Sequence, residues 1–143
     1  MTLLKGIGYT AIVAAIGMQF VRPARTNPPT DLSRTLFARG AVPAPAADVL
    51  QRACRDCHSH DTQWPWYSAV APVSWFVIEH VNHGRSHFNY SDWARYDRDE
   101  AARLIQHSCQ FARDRTMPLP SYLRMHAGAR LSPQDVDALC AWR

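Results

Sequence analysis

The sequence has no segment of useful length in which polar and apolar residues alternate, and it has no internal repeat. The first absence argues against β-strands, and the second argues against a repeat architecture. A one-sided excess of charge is missing as well, because residues 31–143 contain 13 basic and 12 acidic side chains. A nucleic-acid-binding domain usually carries a basic face. We therefore expect no nucleic-acid partner.

The composition is that of a chain with its own hydrophobic core. Of its 143 residues, 47% are hydrophobic, and this length is typical of one domain. A chain with such a core does not need disulfides to replace it, so the four cysteines are free to serve other chemistry.

The N-terminal segment is apolar and has no charged side chain between Lys5 and Arg22. A helix that crosses a membrane needs roughly 20 apolar residues, so this segment is only marginally long enough. We predict one transmembrane helix over residues 1–22 that anchors the protein in the inner membrane. A cleaved signal peptide is the alternative, but the small residues at 15–17 lie inside the apolar run. A buried core helix is not expected, because no polar face interrupts the run.

The next segment contains five prolines between residues 22 and 47 and little periodicity. Proline fixes the backbone and favours extended linkers, so we predict a tether over residues 23–44. The remainder, residues 45–143, is predicted to be the globular domain.

Four helices are predicted in this domain from apolar positions at helical spacing. The first covers residues 46–55, and the second covers residues 73–83 and is stopped by Gly84. The third starts after Ser91 as its N-cap and ends near Arg113, with a break near Asp97. The fourth starts at Ser132 with a capping box and runs to the C-terminus. The predicted fold class is all-α.

The most informative motif is the stretch ACRDCHSH, in which Cys54, Cys57 and His58 follow the first predicted helix. A redox disulfide normally lies where a strand meets a helix, and no strand is predicted before Cys54. A structural zinc site usually takes a second ligand pair of similar spacing, which the chain does not offer. A haem joined covalently to both thiols, with His58 as an iron ligand, uses every residue of C-x-x-C-H.

Two further motifs, WPWYS and APVSW, follow this stretch, and MPLPSYLRMHAGARLS comes later. On these motifs the chain resembles the haem-binding domain family of bacterial c-type cytochromes, over nearly the whole of residues 45–143. The resemblance implies a small cytochrome c-like helical domain around one covalent haem c, behind an N-terminal membrane segment. It also implies that the haem domain faces the periplasm, because covalent haem attachment takes place outside the bacterial cytoplasm.

An iron bound by His58 needs a sixth ligand, a water molecule or an open site. Met117 is the preferred candidate because it precedes Pro118 in an irregular stretch, and Met/His ligation suits electron transfer. The alternatives are Met125, an open site and the remaining histidines, His60, His80, His83, His87, His107 and His126.

An aromatic cluster lies between the haem motif and the second predicted helix and comprises Trp64, Trp66, Tyr67 and Trp75. These rings are expected to line the haem, although ordinary core packing is the alternative. Arg85 is a candidate partner of a haem propionate, since a guanidinium binds carboxylates through two parallel hydrogen bonds. A solvated arginine is the alternative for Arg85.

Two cysteines, Cys109 and Cys140, remain once the haem has taken its two thiols. Both fall on the apolar faces of predicted helices, and an even pair in an oxidising compartment favours a disulfide. Buried free thiols are the alternative.

The function expected from these features is electron transfer rather than enzymatic catalysis. The protein would carry single electrons between periplasmic or membrane-bound redox proteins. Two alternatives are a fixed haem subunit of a larger respiratory or photosynthetic membrane complex, and a haem sensor or peroxidase with an exchangeable iron site.

Overall fold

The computed structural model describes residues 2–142, with side chains from residue 4 onward. Every regular element in this part is helical, so the all-α prediction is confirmed. The eight α-helices are α1 (Thr2–Met18), α2 (Leu36–Arg39), α3 (Ala44–Val49), α4 (Arg55–His58), α5 (Val73–His87), α6 (Arg98–Arg113), α7 (Pro120–Leu123) and α8 (Pro133–Ala141). A π-helical turn at Leu50–Cys54 joins α3 to α4, and 3-10 turns lie at Leu32–Arg34, Trp66–Ala69, Tyr90–Arg95 and Ala127–Ala129.

The hydrophobic core lies between α2, α3, α6, α8 and the 3-10 turn at 90–95. Its most buried side chains include Leu36, Leu50, Tyr90 and Leu139. Burying a side chain of this size contributes about 1.5–3 kcal/mol each, so these residues fix the positions of the helices that carry them. Since α3 continues through the π-helical turn into α4, the core also fixes the segment that ends at His58.

The start of α8 agrees in detail with the capping box predicted from the sequence. The Ser132 side chain accepts a hydrogen bond from the Asp135 N–H at 3.2 Å, and the Ser132 N–H donates to the Asp135 carboxylate at 2.8 Å. The predicted capping box is therefore confirmed. Asp135 also forms an ion pair of 2.9 Å with Arg52, which ties α8 to the π-helical turn.

The third predicted helix is correct in its break but wrong in its N-cap. Asp97 caps α6 by accepting a hydrogen bond from the Glu100 N–H at 2.7 Å. Ser91 lies instead in the preceding 3-10 turn, where its hydroxyl accepts from the His60 N–H at 2.9 Å. The Ser91 hydroxyl is thus used for a tertiary contact, which the local sequence did not reveal.

Gly84 does not end α5, as predicted, but lies inside it, since α5 continues to His87. At this position α5 crosses the haem motif so closely that a Cβ on Gly84 would meet the Cys57 carbonyl oxygen at 2.5 Å. A glycine in a helix interior costs about 1 kcal/mol relative to alanine. The close approach of two backbones explains why glycine nevertheless stands here.

Replacing Gly84 by alanine should therefore destabilise the protein. The atom that the new methyl group meets is backbone and cannot swing away, and such overpacking costs about 1–3 kcal/mol, more than the gain in helix propensity. Gly128→Ala is the matched control, because nothing lies within 4 Å of a Cβ there. Urea denaturation of both variants measures the difference. Equal midpoints would contradict the close approach of α5 to the Cys57 backbone.

The predicted disulfide between Cys109 of α6 and Cys140 of α8 is present. It joins two helices that pack against each other at the edge of the core. Cys54 and Cys57 are free thiols. The four cysteines therefore divide into one structural pair and one pair available for other chemistry.

Alkylation of the denatured, unreduced protein should leave Cys109 and Cys140 unlabelled. The disulfide spans a sequence separation of 31 residues, for which chain entropy predicts a contribution of roughly 3–4 kcal/mol. Replacing both cysteines by serine should lower the free energy of unfolding by about that amount. Mass spectrometry after alkylation measures the first expectation, and labelling of both residues without reductant would contradict it.

The prediction of an N-terminal transmembrane helix is wrong. The predicted single-pass location in the inner membrane, which depended on that helix, is wrong as well. Among residues 2–142, no helix combines the length and the apolarity needed to cross a membrane. The helix α1 has 17 residues, which at 1.5 Å per residue is about 26 Å, whereas the hydrocarbon core of a bilayer is about 30 Å thick. The helix α1 ends at Met18, and the next residue, Gln19, bonds to the backbone of Ala71 in the globular domain.

The proline-rich segment, residues 23–44, contains regular structure in its second half. Thr35 caps the short helix α2, and Leu36 at its start is fully buried in the core. Arg34 forms an ion pair of 2.7 Å with Asp92. The division into segments 1–22, 23–44 and 45–143 stays a prediction, and its outer limits, Met1 and Arg143, lie outside the described residues.

Candidate haem-binding site

The C-x-x-C-H motif forms one short helical segment, which we call the attachment segment (residues 54–58). Cys54 ends the π-helical turn, and Cys57 and His58 lie on α4. The three side chains are partly exposed, while the helical turns before them are fixed by Val49 and Leu50 in the core. Single π-turns inside helices are frequent at functional sites, and here the turn ends at Cys54 and leads directly into α4 with Cys57 and His58.

The His58 ring is oriented by one hydrogen bond. Its Nδ1 lies 2.9 Å from the carbonyl oxygen of Phe88, just beyond the end of α5. Because a carbonyl can only accept, Nδ1 carries the proton and Nε2 keeps its lone pair. Burial lowers the pKa of His58, which further favours the neutral ring. A neutral imidazole held in this way is the form that binds iron.

The two thiols lie in a largely apolar environment. Burial raises the pKa of Cys54 and of Cys57 to about 11 in each case. The fully buried Tyr90 lies beside Cys54, and its hydroxyl has no nitrogen or oxygen partner among the described residues. Tyr90 also stacks on the His58 ring, with 6.2 Å between ring centroids.

Asp56, inside the motif, holds the attachment segment to two other parts of the chain. Its carboxylate accepts hydrogen bonds from the Gln63 N–H at 3.1 Å and from the Tyr122 hydroxyl at 2.9 Å. Tyr122 belongs to α7, which begins three residues after Met117. A direct hydrogen bond across 66 residues of sequence thus joins the haem motif to α7, the helix that follows Met117 and Pro118.

Met117 lies in the irregular connection between α6 and α7 and is 38% exposed. The chain reverses direction just before it, where Arg115 adopts a left-handed conformation with φ of 55°. The Met117 N–H donates to the Phe111 carbonyl at 3.3 Å. The backbone at Met117 is therefore anchored while its side chain stays out of the core. The prediction that Met117 binds iron stays a prediction.

The structure places Arg85 and the four rings of the aromatic cluster in different surroundings. Trp66 is exposed, and Tyr67 lies near Cys57, with its hydroxyl 3.5 Å from His126 Nδ1. Trp64 and Trp75 donate their indole N–H groups to the N-terminal segment, at Asn27 and Val21. Arg85 is buried and bonds to four protein oxygens. The roles of these residues at a haem stay predictions.

Four residues around the site were missed by sequence reasoning: Asp56, Phe88, Tyr90 and Tyr122. Phe88 acts through its backbone carbonyl, for which side-chain identity gives no signal. The position of Asp56 inside the C-x-x-C-H motif was a signal that could have been read, because a carboxylate there is directly adjacent to Cys57.

The donor set fits a covalently held haem better than the other two chemistries. Among residues 2–142 no strand precedes Cys54, and no group of three or more histidine, cysteine or acidic side chains could hold a metal ion. In contrast, two free thiols and an imidazole with a free Nε2 lie together on one short segment.

A family model described as a haem-binding domain matches residues 13–143. The chain belongs to this haem-binding domain family. The resemblance inferred from the motifs is thus confirmed at the level of the family, and haem is the cofactor that membership supports. The match includes part of α1 and the whole proline-rich segment as well as the domain from residue 45 onward. No curated protein and no solved structure matches the chain.

Proposed function

We propose that this haem-binding domain is a monohaem c-type cytochrome that carries single electrons between redox proteins. The observation that carries the proposal is the attachment segment, in which two free thiols are followed by a histidine whose Nδ1 is bonded to the Phe88 carbonyl. Bound haem would supply reversible one-electron chemistry at its iron. The protein itself would act as a carrier and not as an enzyme.

Each residue of the segment has a role in this proposal. Cys54 and Cys57 would hold the haem through their sulfur atoms, and His58 would bind the iron through Nε2. The Phe88 carbonyl fixes the His58 ring and increases its basicity, as outer partners of metal ligands generally do. Gly84 of α5 supports the same geometry, because α5 lies so close to the Cys57 backbone that a side chain at residue 84 would not fit.

Met117 is the proposed sixth ligand. Its backbone is anchored to α6 through Phe111, and the helix that follows is bonded to Asp56 of the attachment segment through Tyr122. These two contacts support a fixed position for the Met117 loop next to the segment. A thioether ligand stabilises ferrous iron and raises the reduction potential, which suits electron transfer.

The disulfide between Cys109 and Cys140 supports the c-type assignment independently. Disulfides persist in proteins that fold in oxidising compartments and are rare elsewhere. Cys54 and Cys57 are not part of this disulfide, so both thiols are available to hold a haem.

A potentiometric titration of the native protein, followed in the visible spectrum, tests the proposed function. We expect one reversible transition with the slope of a one-electron couple, and no sustained turnover when hydrogen peroxide is added with a reducing dye. Continuous peroxide consumption would contradict the carrier proposal and favour a peroxidase.

A further inference from the structure

The N-terminal segment runs along the haem-binding domain instead of away from it. Residues 19–27, here called the strap, are held at both ends. Gln19 exchanges two hydrogen bonds of 3.0 Å with the backbone of Ala71, and the Trp75 indole donates to the Val21 carbonyl at 2.7 Å. At the other end, Asn27 donates to the Thr62 carbonyl at 2.9 Å. The strap thus covers the start of α5 and the chain beyond the haem motif.

The strap meets the loop that follows the proposed iron ligand, residues 59–64. Besides its bond to Thr62, Asn27 accepts a hydrogen bond of 3.2 Å from the Trp64 indole. The first residue of the 59–64 loop, Ser59, is adjacent to His58 in the chain and is buried. Contacts that hold the 59–64 loop in place therefore also hold the residue next to His58.

Arg85 joins the strap to the 59–64 loop. On the loop side its guanidinium donates to the Ser59 carbonyl at 2.7 Å and to the Thr62 hydroxyl at 2.8 Å. On the strap side it donates to the Thr26 carbonyl at 2.7 Å and to the Asn27 side-chain oxygen at 2.9 Å. Four of its five N–H groups are thereby directed at protein oxygens in a planar fork, which lysine cannot reproduce.

All four of these acceptors are neutral. Arg85 is only 8% exposed, and among residues 2–142 no carboxylate bonds to it or forms an ion pair with it. Its charge also lies beside the haem motif, because the Ser59 carbonyl to which Arg85 donates belongs to the residue directly after His58. A buried charge is costly unless its hydrogen bonds are satisfied, and the strap supplies half of them.

We propose that the strap is part of the haem site, and that Arg85 is a positioning residue that locks the strap onto the 59–64 loop and keeps an unpaired positive charge beside the attachment segment. The inference rests on the proposed function, since it concerns a redox-active haem held at Cys54, Cys57 and His58. It gives the strap, which the sequence placed outside the domain, a role in the chemistry.

The charge has a defined consequence for the reduction potential. Oxidation adds one positive charge to the iron, and a nearby cation in surroundings of low dielectric constant disfavours that step. Burial and outer hydrogen bonds are among the means by which proteins set haem potentials. Arg85 therefore raises the potential, and any carboxylate introduced next to it lowers the potential by cancelling its charge.

The first experiment measures midpoint potentials of the full chain with haem bound. Asn27→Asp retains an oxygen that can accept from Arg85 and Trp64 but adds a negative charge, whereas Asn27→Ala removes the contacts without adding one. We expect Asn27→Asp and Arg85→Gln to lower the potential, and Asn27→Ala and Arg85→Lys to lower it less. Gln63→Glu, which adds the same charge to an exposed residue of the 59–64 loop, is the matched control and should have the smallest effect.

The second experiment measures tryptic cleavage between Arg25 and Thr26, with cleavage after Arg103 in α6 as the control for global unfolding. Arg85→Gln should accelerate strap cleavage by roughly tenfold or more, because even one lost hydrogen bond to a charged group has that weight. Arg85→Lys should accelerate it too while keeping most of the potential, which separates locking from charge.

Two outcomes would overturn the proposal. One is a potential in Arg85→Gln and Asn27→Asp that differs from the native value by no more than in Gln63→Glu. The other is strap cleavage that is unchanged in Arg85→Gln. A native protein that lacks covalent haem would instead refute the proposed function, and the cleavage experiment would still report on the strap because it needs no haem.

Discussion

Serine at both Cys54 and Cys57 should abolish covalent haem attachment completely. A hydroxyl group cannot replace the thiol that forms a thioether bond, and both thiols belong to the attachment segment. Acid–acetone extraction followed by mass spectrometry of the polypeptide measures the effect. The native chain should retain the mass of one haem, and the double variant should lose it entirely.

The disulfide pair offers a matched control, since Cys109→Ser combined with Cys140→Ser also removes two sulfur atoms. That variant should retain its haem, although it should unfold at a lower urea concentration. The single variants Cys54→Ser and Cys57→Ser should each keep one thioether bond and show a shifted visible spectrum. Extractable haem in the native protein, or haem retained by the Cys54 and Cys57 double variant, would contradict covalent attachment.

Features that depend on neighbouring residues in the chain could be predicted from the sequence. The capping box of α8 needs only Ser132 and Asp135, which lie one helical turn apart. The pairing of Cys109 with Cys140 followed because no other cysteine remained once the haem motif had been assigned. The helical class of the fold followed from the spacing of apolar residues, which α6 and α8 present to the core.

Features that depend on contacts between distant segments could not be predicted in this way. Gly84 looked like a helix stop, because the sequence gives no sign that Cys57 lies against it. The apolar N-terminal run was only marginally long for a membrane, and nothing local shows that Gln19, directly after α1, bonds to Ala71, 52 residues later. For Gly84 a tertiary contact changed the meaning of the local pattern, whereas the N-terminal prediction was wrong because α1 is not long and apolar enough to cross a membrane.

The contacts of Arg85 and of two tryptophans also depend on distant segments of the chain. Trp64 and Trp75 were expected to line the haem, and Arg85 was a candidate partner of a propionate. In the structure the N–H groups of all three donate to protein oxygen atoms. The acceptors that were found belong to the strap and to the 59–64 loop. The structure thus shows which protein oxygens these groups reach, and their roles at a haem stay predictions.

Replacement of Met117 should have the largest effect on the iron itself. Met117→His should keep two ligands on the iron but lower the reduction potential, by a sizeable part of the roughly 0.8 V over which axial ligands set haem potentials. The reason is that imidazole stabilises ferrous iron less than a soft thioether does. Potentiometric titration measures this change, and Met125→Ala, which alters an exposed methionine two residues beyond α7, should leave the potential unchanged.

Met117→Ala should open the sixth position, so that carbon monoxide binds rapidly to the reduced protein. The native protein should bind it slowly or not at all, because the Met117 backbone is anchored at Phe111 and the following helix is anchored at Asp56. Stopped-flow mixing with carbon monoxide compares the two proteins, with Met125→Ala as the control. Rapid binding by the native protein would favour the sensor or peroxidase function. A Met117→Ala spectrum identical to the native one would show that a histidine binds the iron instead.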